Sequence, residues 1–221
     1  MSQTGWGVIL DVDGVLVDSG EAHYRSWRSL GQSRGRPFDR RLFDRTFGMH
    51  NAQIIPLWLG CDLPPRELDT LSQRKEELYR RYARRGHMKP LPGAAEMLAK
   101  LSQAGVAVAL GTSGPKANAD LALEILKAGS LVTAIASAED VRRGKPDPEV
   151  FLVAARRLNL RPDHLSVIED APMGIEAARN ANMTAIGIST TRSEAVLKEA
   201  GAHRVFRNLD GLTVDDLRPI D

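Results

Sequence analysis

The chain of 221 residues is long enough for one large domain or one domain with an insertion, and its 43% hydrophobic and 26% charged residues are a normal soluble globular balance. A formal net charge of +2 is too small to argue for nucleic acid, and no apolar run approaches the ~20 residues that span a bilayer, so no membrane partner is expected either. The single cysteine, Cys61, allows no internal disulfide and points to a reducing compartment.

Met1 to Gly7 lacks a basic segment followed by an apolar core, so a cytoplasmic protein is expected. Residues 6–11 form a short apolar run rich in β-branched residues, the pattern of a buried strand. The run ends in Asp11 and Asp13, then Gly14. A buried strand ending in unpaired carboxylates is costly. A bound hard cation such as Mg²⁺ removes that cost, and the same carboxylate can attack phosphorus as a nucleophile. The bland alternative is an ordinary turn, since Asp and Gly are common turn residues.

Residues 21–30 predict a helix with Ala22, Trp27 and Leu30 facing inward and Ser19 as its N-cap. Short helices follow on either side of a loop at Gly48-Met49-His50-Asn51. Another helix opens at Pro64-Pro65 and runs to about Arg85, with Leu68, Leu71, Leu78 and Tyr82 near helical spacing. Nothing between 20 and 88 reads as a buried strand, and Cys61 is expected to be a buried small hydrophobe rather than a nucleophile.

From Leu91 the rhythm alternates. Helices are expected at 92–104, 115–127, 148–158, 171–180 and 193–200, and strands at 106–111, 131–136, 165–168, 184–188 and 204–206. Such alternation implies right-handed crossovers and a parallel sheet covered on both faces. The first strand needs that sheet to be buried, so the helical stretch is an insertion. The expected organisation is an α/β catalytic core at 1–18 and 89–221 with a helical cap at 19–88.

In an open parallel sheet, ligands bind beyond the carboxyl ends of the strands. Three expected strand ends carry polar residues: Asp11 with Asp13, Thr112 with Ser113, and Glu169 with Asp170. Gly144-Lys145-Pro146-Asp147-Pro148 lies between a strand and a helix. For Lys145 the competing reading is a solvated surface lysine, which the flanking Gly144 and Pro146 argue against. Glu169-Asp170 is also an acidic pair suited to a helix N-terminus, a reading compatible with metal binding. Carboxylates, a hydroxyl and an ammonium at one edge are the set that phosphoryl transfer needs.

Four pieces, Asp11-Val12-Asp13-Gly14-Val15-Leu16-Val17-Asp18-Ser19, Gly111-Thr112-Ser113, Gly144-Lys145-Pro146-Asp147-Pro148 and Glu169-Asp170-Ala171-Pro172-Met173-Gly174-Ile175, resemble the haloacid dehalogenase (HAD) superfamily in content and order. The resemblance is to the subgroup with a helical cap after the first strand, which contains β-phosphoglucomutase and many sugar-phosphate phosphatases. It implies an α/β fold, a Rossmann-like parallel sheet core with an inserted all-helical cap domain. It also implies roles. Asp11 would be the nucleophile, forming an aspartyl-phosphate, and a Mg²⁺ ligand. Asp13 would protonate the leaving oxygen and then activate water, its carbonyl binding Mg²⁺. Thr112 would hydrogen-bond the phosphoryl group, and Lys145 would neutralise charge on it and on Asp11. Asp170 would hold Mg²⁺ directly and Glu169 through water. A dehalogenase would lack Asp13 and a phosphonate-cleaving relative would carry alanine there.

Substrate contacts are expected from Ser113 and, in the cap, from Lys75, His23, His50 and Asn51. Trp27 also falls where the mutase-like members carry tryptophan, but is expected to pack. His23 has a hinge-side hydrogen-bonding alternative, and the pair Arg74-Lys75 has the alternative of a solvated helix face. The mutase has an arginine in the cap loop for a second phosphate. This chain has Asn51 there and no arginine between Arg45 and Arg66, and it has Gly114-Pro115-Lys116 where the mutase has a polar run. The expected function is therefore a Mg²⁺-dependent phosphatase acting on a small phosphomonoester, a sugar phosphate among the candidates. A β-phosphoglucomutase-like phosphomutase remains open because Lys75 and Lys116 can supply a distal anionic site. A non-catalytic binding member of the fold fits the intact residue set less well. Oligomeric state is not legible; a monomer is favoured, since the mixed-charge cap surface shows no obvious apolar patch.

Overall fold

The computed structural model describes residues 5–220. The chain falls into two compact units: one comprises the chain through Asp18 together with Pro90 onward, and the other is Ser19–Lys89.

The first unit is built on a six-stranded sheet in the order β5-β4-β1-β6-β7-β8. Its strands are β1 (Gly7–Leu10), β4 (Ala107–Gly111), β5 (Ala134–Ala136), β6 (Leu165–Glu169), β7 (Thr184–Ile188) and β8 (Arg204–Phe206). β1 pairs with β4 and β6, β4 with β5, β6 with β7 and β7 with β8, all in parallel. The chain order interleaves α5 (Ala94–Gln103), α6 (Lys116–Leu126), α7 (Glu149–Leu158), α8 (Pro172–Asn180) and α9 (Glu194–Glu199) with these strands. Helices over both faces leave no wet side, so the central strands need no polar alternation. Val8, Ile9 and Leu10 have no exposed surface, and neither do Val167, Ile168, Ala185 and Ile186. On one face Ile9, Val167 and Ala185 pack with Phe151 of α7 and Ile175 of α8. Gly111 makes room for that packing: a Cβ there would come 2.9 Å from the Phe151 ring. β2 (Val17–Asp18) and β3 (Lys89–Pro90) form a separate two-stranded sheet.

The second unit is helical: α1 (Gly20–Ser33), α2 (Arg40–Thr46), α3 (Asn51–Leu59) and α4 (Pro65–Tyr82). Ala22, Trp27 and Leu30 are buried as their spacing predicts. Trp27 stacks on Phe38 with ring centroids 4.8 Å apart, and the Trp58 indole donates to the Pro37 carbonyl at 3.2 Å. Burying each such aromatic contributes on the order of 2–3 kcal/mol.

Several sequence expectations are corrected. Cys61 is exposed, because it follows Gly60, which ends α3 in the left-handed region at φ +70°. β5 begins three residues later than predicted, because Gly129–Leu131 forms a 3-10 turn instead of extended chain. Ser19 precedes α1 but makes no side-chain cap to it. The long helix stops at Tyr82, and the chain turns through Ala83–His87 with Gly86 at φ +85°. No helix among the described residues is long and apolar enough to cross a membrane.

One polar link fastens the loop after β5 to α7. The Arg157 guanidinium donates to the Asp140 carboxylate at 2.5 and 2.8 Å and to the Ile135 carbonyl, while the Ser137 amide donates to Asp140 at 3.0 Å. The Arg157 hydrogen bonds hold Asp140 down from 3.8 to about 2. A carboxyl depressed in the folded state adds stability above its unfolded value, and that stability is lost as pH falls toward the folded one. With solvent screening discounted, Asp140→Asn is expected to cost on the order of 1–2 kcal/mol at pH 7. Urea unfolding at a series of pH values checks this: the gap between variant and parent should close as pH drops below 4. A gap independent of pH would exclude the charge as its source.

Candidate active site

β1 lies between β4 and β6, so the ends of these three strands are neighbours. Asp11 follows β1, with its amide bonded to the Ile168 carbonyl at 3.0 Å. Thr112 follows β4, with its amide on Ala136, and its hydroxyl accepts from the Gly114 amide at 3.0 Å. Glu169 ends β6 and Asp170 comes next. Asp11, Thr112, Glu169 and Asp170 are all buried.

Lys145 completes the group from the loop before α7. Its ammonium donates to Asp11 Oδ1 at 2.6 Å, to Glu169 Oε1 at 2.5 Å and to the Gly111 carbonyl at 3.1 Å, and it lies 4.9 Å from the Phe151 ring centre. It is not a solvated surface lysine: its side chain is 7% exposed. Burial pulls its pKa down, but Asp11 and Glu169 outweigh that and hold it above the ordinary lysine value.

Glu169 is committed on both oxygens. Its Oε2 accepts the amides of Asp170 and Ala171 at 3.0 and 3.1 Å, at the start of α8. It lies so close to the first turn that a Cβ on Gly174 would overlap its carboxylate. A Cβ on Gly14, which sits at φ +84°, would overlap the carboxylate of Asp170. Both glycines are required by close approach, and Gly14 also by its backbone angle.

Carboxylate oxygens of Asp11, Glu169 and Asp170 lie within 4.8 Å of one another. Burial raises the pKa of Asp11 well above normal, with Glu169, Asp170 and Asp13 adding to the effect and Lys145 opposing it. Burial and the Glu169 charge raise Asp170 to about 7, against the Thr191 hydrogen bond and Lys145. With all three carboxylates ionised, one ammonium would leave two negative charges in excess. A small divalent cation with oxygen ligands matches that excess and donor type. Asp13 is half-buried in the turn that bonds the Gly14 amide to the Val17 carbonyl at 2.8 Å, and its carboxylate is outside the acidic group. Ser113 is half-buried beside Thr112.

The other predicted residues lie in the helical unit. Lys75 is 2% exposed, contrary to a solvated helix face, whereas Arg74 is exposed and pairs with Glu77. The Lys75 ammonium sits 2.8 Å from His23 Nδ1 and donates to Glu76 Oε1 at 2.8 Å. The Asn51 amide also donates to Glu76 Oε1 at 2.8 Å, and the His23 ring stacks on Tyr79. His50 precedes α3, and its Nδ1 accepts the Ala52 amide at 3.3 Å. Sequence reasoning missed Glu76, Thr190 and Thr191. The hydroxyls had one available signal: they follow a strand of the same sheet, at its carboxyl end.

Residues 8–188 match the family described as Haloacid dehalogenase-like hydrolase. The chain belongs to this family. It is 33% identical to validoxylamine A 7'-phosphate phosphatase of Streptomyces hygroscopicus subsp. limoneus over 87% of this chain and 89% of that protein. It is 31% identical to β-phosphoglucomutase of Bacillus subtilis over 94% and 92% of the respective chains. Among solved structures it is similar to a hydrolase from Pseudomonas syringae, with a TM-score of 0.84, 29% identity, and coverage of 96% of this chain and 98% of that one. As a HAD-like hydrolase, the chain shares the α/β Rossmann-like fold of these neighbours and acts on phosphate esters.

Proposed function

We propose that this HAD-like hydrolase is a Mg²⁺-dependent phosphatase of a small phosphomonoester, a phosphorylated sugar or related polyol. The observation that carries the reading is the buried Asp11 carboxylate held by Lys145 beside Glu169 and Asp170. Asp11 attacks phosphorus, the ester P–O bond breaks, and Asp13 gives its proton to the departing oxygen. Asp13 then takes a proton from water, whose oxygen attacks the same phosphorus and frees Asp11, so ester and water become alcohol and phosphate. Thr112 and Ser113 donate hydrogen bonds to the phosphoryl oxygens, and Lys145 fixes the Asp11 carboxylate. Asp11, the Asp13 carbonyl and Asp170 would hold Mg²⁺ directly and Glu169, whose oxygens already accept from Lys145 and from the Asp170 and Ala171 amides, through water; the ion supplies charge neutralisation at the phosphoryl group. Residues 19–88 serve as the cap domain that sets substrate choice, and Lys75, His23, His50 and Asn51 are its candidate substrate-contacting residues. Phosphate release from a panel of sugar phosphates, with Mg²⁺ or with a chelator, tests the reading. Absence of release across the panel would overturn it.

The mutase reading requires a grip for a second phosphate. Both lysines that could provide it already face a carboxylate: Lys75 is paired with Glu76, and Lys116 with Asp120 at 2.7 Å. This pairing favours hydrolysis. Glu76→Gln keeps an acceptor for Asn51 but frees the Lys75 charge. It is expected to tighten competitive inhibition by glucose 1,6-bisphosphate about tenfold, equivalent to ~1.4 kcal/mol. An unchanged or weaker inhibition constant would remove Glu76 as the discriminating residue.

A further inference from the structure

We infer that Thr191 is a positioning residue for the Asp170 carboxylate, presetting it for a divalent cation. This rests on the metal reading above. β7 lies beside β6, and the chain leaves β7 at Ile188. The next amide, of Ser189, donates to the Phe206 carbonyl at 2.8 Å, which ties the start of the loop to β8. The two hydroxyls that follow reach the two loops bearing acidic residues. Thr190 donates to the carbonyl of Gly14, in the turn after Asp11 and Asp13. Thr191 reaches Asp170 Oδ2 and, at 3.1 Å, the Asp170 carbonyl.

The chemistry of this contact is directional. A carboxylate on a short side chain can rotate its plane, and any cation it holds must first fix that rotation. A hydroxyl donated to Oδ2 fixes the plane in advance and leaves Oδ1 for the ion. Groups that orient a ligand in this way commonly set metal affinity. Threonine suits the task better than a flexible donor, because its branched Cβ restricts χ1. Its methyl also packs where Gly14 has no side chain, 3.1 Å from the place a Cβ would occupy. Thr190 and Thr191 thus latch the Gly14 turn and the Asp170 loop to one segment, so both acidic loops share one anchor.

The test is Mg²⁺ titration of the 221-residue chain by isothermal calorimetry, with Thr191→Val and Thr191→Ser beside the parent. Val keeps the shape and removes the donor; Ser keeps the donor. The expected result is a Kd raised about tenfold or more in Thr191→Val, the size usual for such outer groups, with Ser near the parent. The Mg²⁺ concentration for half-maximal activity should rise in step, while kcat at saturating Mg²⁺ holds, a split that mere structural damage would not give. Parent-like Mg²⁺ affinity in Thr191→Val overturns the inference and leaves the phosphatase reading standing. A parent chain that binds no Mg²⁺ overturns the metal reading and this inference together. Should the Val variant not fold, Thr191→Ala against Thr191→Ser decides the same question by the same affinities.

Discussion

Asp11→Asn is expected to lower turnover of a phosphomonoester by about 10⁴-fold or more while leaving the protein folded, the scale seen when a covalent nucleophile is removed. The substitution is nearly isosteric, so the packing at the end of β1 has no reason to change. It also takes one charge out of an acidic group in which burial already pushes Asp11 and Asp170 toward protonation. Lys145 keeps its second partner, Glu169 Oε1. Stability at neutral pH should therefore hold or rise, which separates loss of chemistry from loss of fold. Hydrolysis of p-nitrophenyl phosphate in Mg²⁺, measured beside thermal unfolding, checks both halves. Turnover within tenfold of the parent would remove Asp11 as nucleophile.

Lys145→Met should have the largest effect on stability. It leaves three buried carboxylates without the ammonium that joins two of them. Removing one partner of a buried ionic group typically costs ~3–5 kcal/mol, because the remaining charge is uncompensated. For a chain of this size that corresponds to a Tm lower by roughly 10–15 °C. The sign of the pH dependence follows from the raised carboxyl pKa values. Groups that prefer their proton in the folded state destabilise it as pH rises past their unfolded value. Asp170, at about 7 even with Lys145 present, keeps that window open up to neutral pH. The deficit of Lys145→Met should thus be small near pH 4 and widen toward pH 7, and saturating Mg²⁺ should narrow it. Calorimetric melting over that range is the measurement; a deficit that does not change with pH would mean the loss comes from packing against Phe151.

The sheet was legible because periodicity is a local property. Short β-branched runs separated by amphipathic stretches are compatible with few arrangements other than parallel strands under helices. The strand-end residues were legible for a related reason: a carboxylate placed where a buried strand stops demands an explanation wherever it occurs. Lys145 stands 134 residues from Asp11, and only the shaped loop around it hinted that it was more than a surface lysine. Other features left no trace along the chain. Glu76 looked like one of many helix charges, because neighbours in sequence do not reveal that both it and Lys75 are buried. Thr191 sits in a polar run like any loop, and its meaning comes from Asp170 across a strand crossover. Cys61 was misjudged because composition favours burial of a lone cysteine, whereas the turn at Gly60 carries it outward.

The position of β1 in the sheet has a consequence for durability. Both strands that present the acidic group are hydrogen-bonded on each side, while β5 and β8 form the margins. Fraying begins at margins, and amides of the interior strands exchange with solvent only when the whole unit opens. Partial melting at the periphery therefore leaves the strands that carry Asp11, Glu169 and Asp170 paired, and these carboxylates should lose their places only when the sheet itself gives way.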